Sequence, residues 1–243
     1  MFLWLSLLLL ITPQSYGQVG KILKKIGPGE AFILRNNKKI IIKKDTLLNL
    51  GDEVSSVKSV LLIHLEPTLQ MSVGQDTVLK ISEYLLEGDE KKEKSTSVID
   101  FLKGIVRLQV NKYHDLEVNQ KIRTKDVAFG VRGTEFEVSN DGENVDLDVI
   151  EGEVEVTSPH VQTFVPEIVK RYEGFRFNLK RRDFQRRKFL SKFKDHPGFQ
   201  SRSEIRELWL QKKRELVERR FKRSGVKSRR EDILERRRGN RGR

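Results

Sequence analysis

The chain has 243 residues, no cysteine, and 48 Lys and Arg against 35 Asp and Glu, a formal net charge of +13 at pH 7. Without cysteine there is no disulfide framework, no thiol nucleophile and no lipid-modified N-terminal cysteine, so stability has to come from a packed core. The charge is divided unevenly. Residues 1–169 hold 20 Lys and Arg against 25 Asp and Glu, a net of −5, and residues 170–243 hold 28 against 10, a net of +18. The two parts are therefore expected to have different roles.

The first 17 residues have the pattern of a secretory signal peptide. An apolar run from Phe2 to Ile11 is followed by Pro13 and by the small residues Ser15 and Gly17, which predicts cleavage after Gly17. The run is about half of the roughly 20 residues that span a bilayer, so a permanent anchor is the weaker interpretation. We predict no transmembrane span in the mature chain, and we expect it to lie in the periplasm or elsewhere outside the cytoplasm.

From residue 18 to 182, apolar residues recur at every second position in short runs bounded by turn residues. This period predicts half-buried strands. The clearest runs are Leu61, Ile63 and Leu65; Val106, Leu108 and Val110; and Val145, Leu147 and Val149. We therefore predict a mainly β domain over residues 18–182, either an antiparallel sandwich or an irregular β-solenoid, with residues 87–94 as an exposed loop. Turn residues at 140–142 predict a hairpin.

The apolar residues change face in the middle of this domain. Phe129 and Val131 occupy odd positions, whereas Phe136 and the next apolar residue, two positions later, occupy even ones. Because side chains alternate strictly along a strand, this change requires an extra residue or a sharp bend, and Gly133 is the residue best suited to supply it. The same change occurs across residues 150–152. We predict a β-bulge at each place.

Four sequence blocks, in this order, resemble the FecR domain, named after the ferric-citrate regulator. They are LGD at 50–52, FLKGIVRLQV at 101–110, VRGTEFEV at 131–138 and VIEGEVEV at 149–156. The signature residues in this chain are Val131, Arg132, Gly133, Thr134, Phe136, Glu151 and Gly152. The resemblance implies an all-β domain without enzyme activity, and we interpret these residues as structural.

Founding members of that family are inner-membrane regulators with a cytoplasmic segment that binds a sigma factor and a periplasmic part that senses. In this chain we expect a signal peptide at the N-terminus instead of such a segment. We therefore expect sigma-factor regulation not to carry over, and the chain resembles the exported variant of the family.

The sequence offers little that could support catalysis. The four histidines are scattered without metal-ligand spacing, and no Gly-x-Ser-x-Gly elbow occurs. The pair Gly130-x-x-Gly133 precedes a strand pattern, whereas phosphate-binding loops open a helix. Arg132 is the only basic residue among nine acidic ones between residues 127 and 158. We expect it to cap carbonyl groups at the bulge or to pair with one of those carboxylates, with a ligand contact as the alternative. We predict no catalytic residue, no metal site and no cofactor.

Alternation along the same strands predicts a candidate acidic docking face. Its members are Glu135, Glu137, Asp146, Asp148, Glu153 and Glu155. Each is adjacent to a core position, so we expect all six to point outward from one sheet. A solvated face is the default interpretation. Like charges on paired strands cost stability, however, so a positive partner is a reasonable hypothesis, and the basic tail is the nearest one.

From Asp183 onward the pattern of apolar residues indicates helices, which predicts a basic helical tail over residues 183–243. Asp183 is placed to cap a first helix, and the capping box Ser201-x-x-Glu204 opens the longest helical run, which ends near Arg223. One face of that run holds Ile205, Leu208, Trp209 and Leu216. The last residues are expected to fray.

Three interpretations of the tail remain open. It docks on the β domain; it binds anionic envelope polymers, lipid head groups or an envelope protein, with peripheral membrane contact; or it binds nucleic acid, which export disfavours. The candidate contacts to an anionic partner are Arg186, Arg187, Lys188, Lys212, Lys213, Arg214, Arg219, Arg220, Lys222 and Arg223. The sequence thus predicts a non-enzymatic exported binding, scaffolding or sensing module, with nucleic-acid binding through the tail as the alternative.

Overall fold

The computed structural model describes residues 17–65, 68–88, 93–110, 116–161 and 163–191. These residues form strands and connecting loops, with no α-helix among them. The prediction of a mainly β domain is therefore confirmed. The predicted signal peptide up to residue 16 and the helical runs predicted after residue 191 lie outside the described residues.

Seventeen strands make up the described part of the chain. They are β1 (Gln18–Ile26), β2 (Ala31–Arg35), β3 (Lys38–Ile41), β4 (Leu47–Asn49), β5 (Glu53–Ser56), β6 (Val60–Leu65), β7 (Leu69–Val73), β8 (Thr77–Gly88), β9 (Glu93–Val110), β10 (Leu116–Arg123), β11 (Ala128–Val131), β12 (Glu135–Asn140), β13 (Asn144–Glu151), β14 (Glu153–Thr157), β15 (Glu167–Lys170), β16 (Glu173–Asn178) and β17 (Asp183–Lys188).

The strands pair into two sheets that share β9. Sheet A has the order β4-β1-β6-β7-β9-β12-β13-β16-β17, and every pair in it is antiparallel. Sheet B has the order β3-β2-β5-β8-β9-β10-β11-β14-β15, with one parallel pair, β9 and β10. The N-terminal part of β9 lies in sheet B and its C-terminal part in sheet A, and Gly104 at the corner has a φ of +100°.

Both sheets contribute to one hydrophobic core. Phe101, Phe129 and Val154 enter it from sheet B, and Phe136 and Phe175 enter it from sheet A. The three alternating runs singled out in the sequence all lie in this core, with each residue at most 4% exposed. The fold is therefore a two-layer sandwich. The chain passes back and forth between the layers, usually two strands at a time, while both layers grow in the same direction.

This path explains the changes of face at residues 132–134 and 150–152. β11 belongs to sheet B and β12 to sheet A, so the chain crosses between layers at Gly133, where φ is +63°. The prediction of a bulge within one strand at this place is wrong, and the sharp bend considered beside it is what occurs. At the second place the chain crosses back from β13 to β14, and the register of β13 also shifts by one residue between Val149 and Glu151. The predicted hairpin connects β12 and β13.

The prediction of a helix beginning at Asp183 is wrong. Residues 183–188 form the edge strand β17, which pairs with β16 in antiparallel register. Phe184 stacks on Phe175 with ring centroids 5.4 Å apart and also contacts Phe164 at 5.0 Å. Packing on this aromatic cluster and the open edge of β16 outweigh the local capping signal of Asp183. The β domain therefore extends past residue 182, to the end of β17.

The loop predicted over residues 87–94 is shorter than expected. Strand β8 continues to Gly88 and β9 begins at Glu93, with Glu87 opposite Lys94 in the ladder. The described part of the predicted loop is therefore strand, because pairing between the two long strands extends the hairpin outward.

Candidate functional site

Two of the four sequence blocks, 131–138 and 149–156, hold the signature residues and lie beside each other in the fold. Thr134 Oγ1 donates a hydrogen bond to the carbonyl oxygen of Glu153 at 2.9 Å, which joins the first crossing between layers to the second. A Cβ atom added to Gly152 would lie 3.1 Å from Thr134 Oγ1 and 3.3 Å from the carbonyl oxygen of Gly133. Val131 and Phe136 on either side are buried in the core. The blocks therefore place two crossings side by side, which requires small residues at the contact.

Arg132 points away from this contact into solvent. Its side chain is 70% exposed and its Nη2 atom lies 3.1 Å from Glu117 Oε1. Glu117 lies on β10 and is not one of the nine acidic residues that the sequence suggested as partners, because β10 neighbours β11 only through the fold. An exposed ion pair of this kind contributes about 0–1 kcal/mol to stability.

The predicted acidic face is divided between the two sheets. Strands β12 and β13 place Glu135, Glu137, Asp146 and Asp148 on the outer face of sheet A, opposite the core. Glu153 and Glu155 lie on β14 in sheet B, where both are exposed. The prediction of six carboxylates on one sheet is therefore wrong for the last two, because the crossing at 150–152 moves the chain to the other layer.

The four carboxylates of sheet A are held by arginines from neighbouring strands. Arg107 on β9 donates from Nε to Glu135 Oε1 at 2.8 Å, and its Nη1 atom lies 3.6 Å from Glu137 Oε1. Arg176 on β16 binds both carboxylate oxygens of Asp146, at 2.6 and 3.0 Å. The hydrogen bond to Asp146 is also the main reason that the pKa of Arg176 is raised above its ordinary value.

Arg187 completes the set from β17, the edge strand that begins the basic part of the chain. It donates to both oxygens of Asp148, at 3.0 and 2.5 Å, and its Nε atom lies 3.7 Å from Asp146 Oδ1. Glu137, Asp146 and Asp148 are each at most 3% exposed. The expectation of a solvated acidic stripe is therefore wrong, and an array of charges of both signs covers this face.

The charges on this outer face of sheet A are nearly balanced. Three arginines (Arg107, Arg176, Arg187) face four carboxylates (Glu135, Glu137, Asp146, Asp148), which leaves a formal net charge of −1. Bidentate pairs between guanidinium and carboxylate groups also fix side-chain geometry. We call these seven residues the charged array.

Sequence reasoning did not identify Arg107 or Arg176 as members of the array. Both alternate with core residues, Arg107 between Val106 and Leu108 and Arg176 between Phe175 and Phe177, so alternation alone places them on an outer face. The missing information is the strand order, which brings β9 and β16 next to the acidic hairpin.

Gly174 opens the route by which Arg187 reaches the array. In the register of sheet A, Asp148 lies opposite Gly174, and Gly174 lies opposite Arg187. A Cβ atom on Gly174 would lie 3.0 Å from both Cγ and Nη1 of Arg187 and 2.9 Å from the carbonyl oxygen of Lys188. The arginine side chain therefore crosses the intervening strand through the space that the glycine leaves.

We expect Gly174→Ala to lower the free energy of unfolding by about 1–3 kcal/mol, because the added methyl group displaces Arg187 from Asp148. Gly130→Ala is the matched control, since Gly130 also lies in a strand and its added Cβ would meet nothing closer than 3.6 Å. Urea unfolding of both variants gives the comparison. If Arg187→Ala costs as much in the Gly174→Ala background as in the original chain, the glycine does not act through the arginine.

The remaining basic residues of β17 are also described. Arg186 pairs with Glu167 at 2.6 Å and with Glu173 at 3.0 Å, and the hydrogen bond to Glu167 is the main reason that its pKa is raised. Lys188 is exposed. Two of the predicted contacts to an anionic partner, Arg186 and Arg187, thus pair within the domain. The predicted contacts from Lys212 to Arg223 lie outside the described residues.

The chain turns onto the charged array directly after β17. The backbone amide of Leu190 donates to Asp148 Oδ1 at 2.7 Å, and Ser191 Oγ donates to Glu137 Oε1 at 2.8 Å. The last described residues therefore run from β13 towards β12 across the outer face of sheet A.

Within the described ranges, no group of three or more His, Asp or Glu side chains is arranged to hold a metal ion. No helix there is long and apolar enough to cross a membrane. His64 is buried on β6 and His160 is exposed, while His114 and His196 lie outside the described residues.

Comparison with known proteins gives one family match and several matches among the solved structures. Two of these structures are of a candidate anti-sigma factor from Parabacteroides distasonis ATCC 8503, at 1.65 and 2.50 Å resolution, with identities of 16% and 17%. Each has a TM-score of 0.45, and each alignment covers 56% of this chain. The chain spans 59% of the length of either solved chain. No curated protein matches it.

The family model described as FecR protein matches residues 51–155, from the turn before β5 to the middle of β14. All seven signature residues fall inside this range. The resemblance to the FecR domain that the sequence motifs predict is therefore confirmed for residues 51–155.

Proposed function

We propose that the chain is a non-enzymatic sensing or regulatory module of the cell envelope, exported by its signal peptide, whose basic C-terminal segment contacts an anionic envelope component. The FecR match over residues 51–155 carries this proposal. The division of charge supports its second half, because residues 192–243 hold 19 Lys and Arg against 8 Asp and Glu, a net of +11.

The described surface supports placing the anionic contact in the segment after residue 191. Arg107, Arg176, Arg186 and Arg187 are all paired with carboxylates of the same domain. Clustered Lys and Arg side chains suit an interface of anionic lipid head groups or anionic polymer. Residues 212–214, with the sequence Lys-Lys-Arg, are the longest uninterrupted basic run in the longest predicted helix.

Vesicle binding tests this proposal. We expect the full chain to bind vesicles containing anionic lipid, and the triple variant Lys212→Gln, Lys213→Gln, Arg214→Gln to bind at least tenfold more weakly, since each surface cation contributes about 1 kcal/mol. The matched control replaces three exposed lysines of the β domain, Lys38, Lys43 and Lys44, with glutamine. Cosedimentation at low and physiological salt gives the affinities.

Three results would contradict the proposal: no binding to anionic vesicles or to an anionic cell-wall polymer, equal weakening by the two triple variants, or tighter binding to single-stranded DNA than to either envelope component. The last result would favour the nucleic-acid alternative.

A further inference from the structure

The outer face of sheet A is shielded from solvent beyond the charged array. On β6 and β7 the side chains that point away from the core are Leu62, His64, Gln70 and Ser72, and each is at most 1% exposed. These positions continue the same cross-strand rows as the array, since Leu62 lies opposite Ser72 and Ser72 opposite Arg107. The shielded surface therefore extends across sheet A from β6 to β13.

The outer face of sheet B is different. At its corresponding outward positions, Lys80, Lys121 and Glu155 are exposed. The two sheets have the same core between them, so burial on the outer side of sheet A is not a general property of the sandwich. The outer face of sheet A is therefore covered by another part of the molecule, whereas the outer face of sheet B is exposed to solvent.

The described strands do not supply that cover. All seventeen are paired within the two packed sheets, so none of them lies over the outer side of sheet A. Within the described residues, Gln70 Nε2 and Ser72 Oγ are buried and have no hydrogen-bond partner.

The path of the chain indicates which segment this is. Leu190 and Ser191 already lie on the outer face, bound to Asp148 and Glu137. From β12 the covered face continues over β9 and β7 to β6, about 14 Å at the usual spacing of strands. The 52 residues from 192 to 243 follow immediately, and a helix over residues 201–223 would be about 34 Å long.

The chemistry of the face matches that segment. Val60, Leu62 and Ile105 form a second apolar cluster on the outer side, flanked by Leu23 and Ile26. The predicted helix carries the stripe Ile205, Leu208, Trp209 and Leu216. An apolar stripe within a basic helix fits a surface that is apolar at one end and has an excess carboxylate at the other.

We propose that the outer face of sheet A is the docking surface for the segment after Ser191 of the same chain, with the predicted helix from Ser201 packing its apolar stripe on Leu62 and Ile105. This docking does not depend on the partner proposed above. It leaves the outer face of sheet B as the free side of the sandwich.

Trp209 reports directly on this docking. Trp4 and Trp209 are the only tryptophans, so a full chain with Trp4→Phe has a single indole in the proposed contact. We expect its fluorescence to be blue-shifted and protected from acrylamide. In that background Ser72→Arg, which fills the docking surface, should raise the quenching constant about threefold because the indole becomes exposed. Asn119→Arg, at an outward position of sheet B, is the matched control and should change nothing.

Circular dichroism shows whether each variant is folded. If Ser72→Arg unfolds the domain, Leu62→Ala takes its place and should raise quenching with the sheets intact. The proposal is overturned if acrylamide quenches Trp209 of the Trp4→Phe chain as readily as it quenches free tryptophan. It is also overturned if a folded variant of the docking surface leaves the quenching constant unchanged. Protection that disappears on dilution, together with a dimer in sedimentation, would overturn it in favour of a second copy.

Discussion

Gly104→Ala is expected to destabilise the protein by about 3–5 kcal/mol, the sum of an unfavourable backbone and a direct overlap. Gly104 has a φ of +100° at the corner where β9 leaves sheet B for sheet A. An added Cβ atom would lie 2.2 Å from Thr77 Oγ1 and 2.5 Å from Thr77 Cα. Thr77 Oγ1 also accepts a hydrogen bond from the amide of Ile105 at 3.0 Å, so the methyl group would separate the corner from β8.

Gly142→Ala is the control that separates the two causes. Gly142 has a similar φ of +89°, but a Cβ atom there would meet no atom within 4 Å. We expect it to cost about 1–2 kcal/mol, the backbone contribution alone. Urea unfolding measures both. Equal losses for the two variants would show that close packing of the corner against Thr77 contributes nothing to stability.

The second large effect is expected from Arg35→Met. Asp52, the last residue of the LGD block, is fully buried. Arg35 donates to its two carboxylate oxygens at 2.7 and 2.8 Å, and the amide of Asn49 donates to Oδ2 at 2.8 Å. The hydrogen bond to Asp52 is also the main reason that the pKa of Arg35 is raised. Replacing Arg35 with methionine leaves the Asp52 carboxylate buried without its cation. We expect this loss to lower the free energy of unfolding by about 4 kcal/mol, within the usual range of about 3–5 kcal/mol.

Two further variants make this test specific. Arg132→Met removes the arginine of an exposed pair, so we expect a loss below about 1 kcal/mol. Adding Asp52→Asn to Arg35→Met should recover part of the lost stability, since a buried amide costs less than a buried charge. Thermal unfolding of the four proteins at neutral pH gives the comparison. A loss from Arg35→Met no larger than that from Arg132→Met would contradict the role assigned to Asp52.

The sequence predicted the features that depend on neighbouring residues. Alternation placed Val145, Leu147 and Val149 in the core, and the turn residues placed the β12–β13 hairpin, because both patterns are local to a strand. Strand order is not local. Neither the pairing of Arg107 with Glu135 nor that of Arg187 with Asp148 follows from spacing, since 28 and 39 positions separate the partners.

Two errors had a common physical cause. The helix predicted at Asp183 and the single acidic face both assumed that a segment keeps the environment of its sequence neighbours. In the fold, Phe184 packs on Phe175 of β16, and Glu153 changes layer within two residues of Glu151. Crossings between layers, which are frequent in this sandwich, are where such assumptions fail.

The steady growth of both layers along the chain has a consequence for how the protein folds. Among the described strands, no two paired residues are more than 45 positions apart, the separation of Gly20 and Leu65. In a sandwich whose first strand pairs with its last, that pair can form only after the whole chain has emerged. Here each new strand meets a partner that has already emerged, so the domain can assemble from its N-terminal end while the rest of the chain is still being delivered.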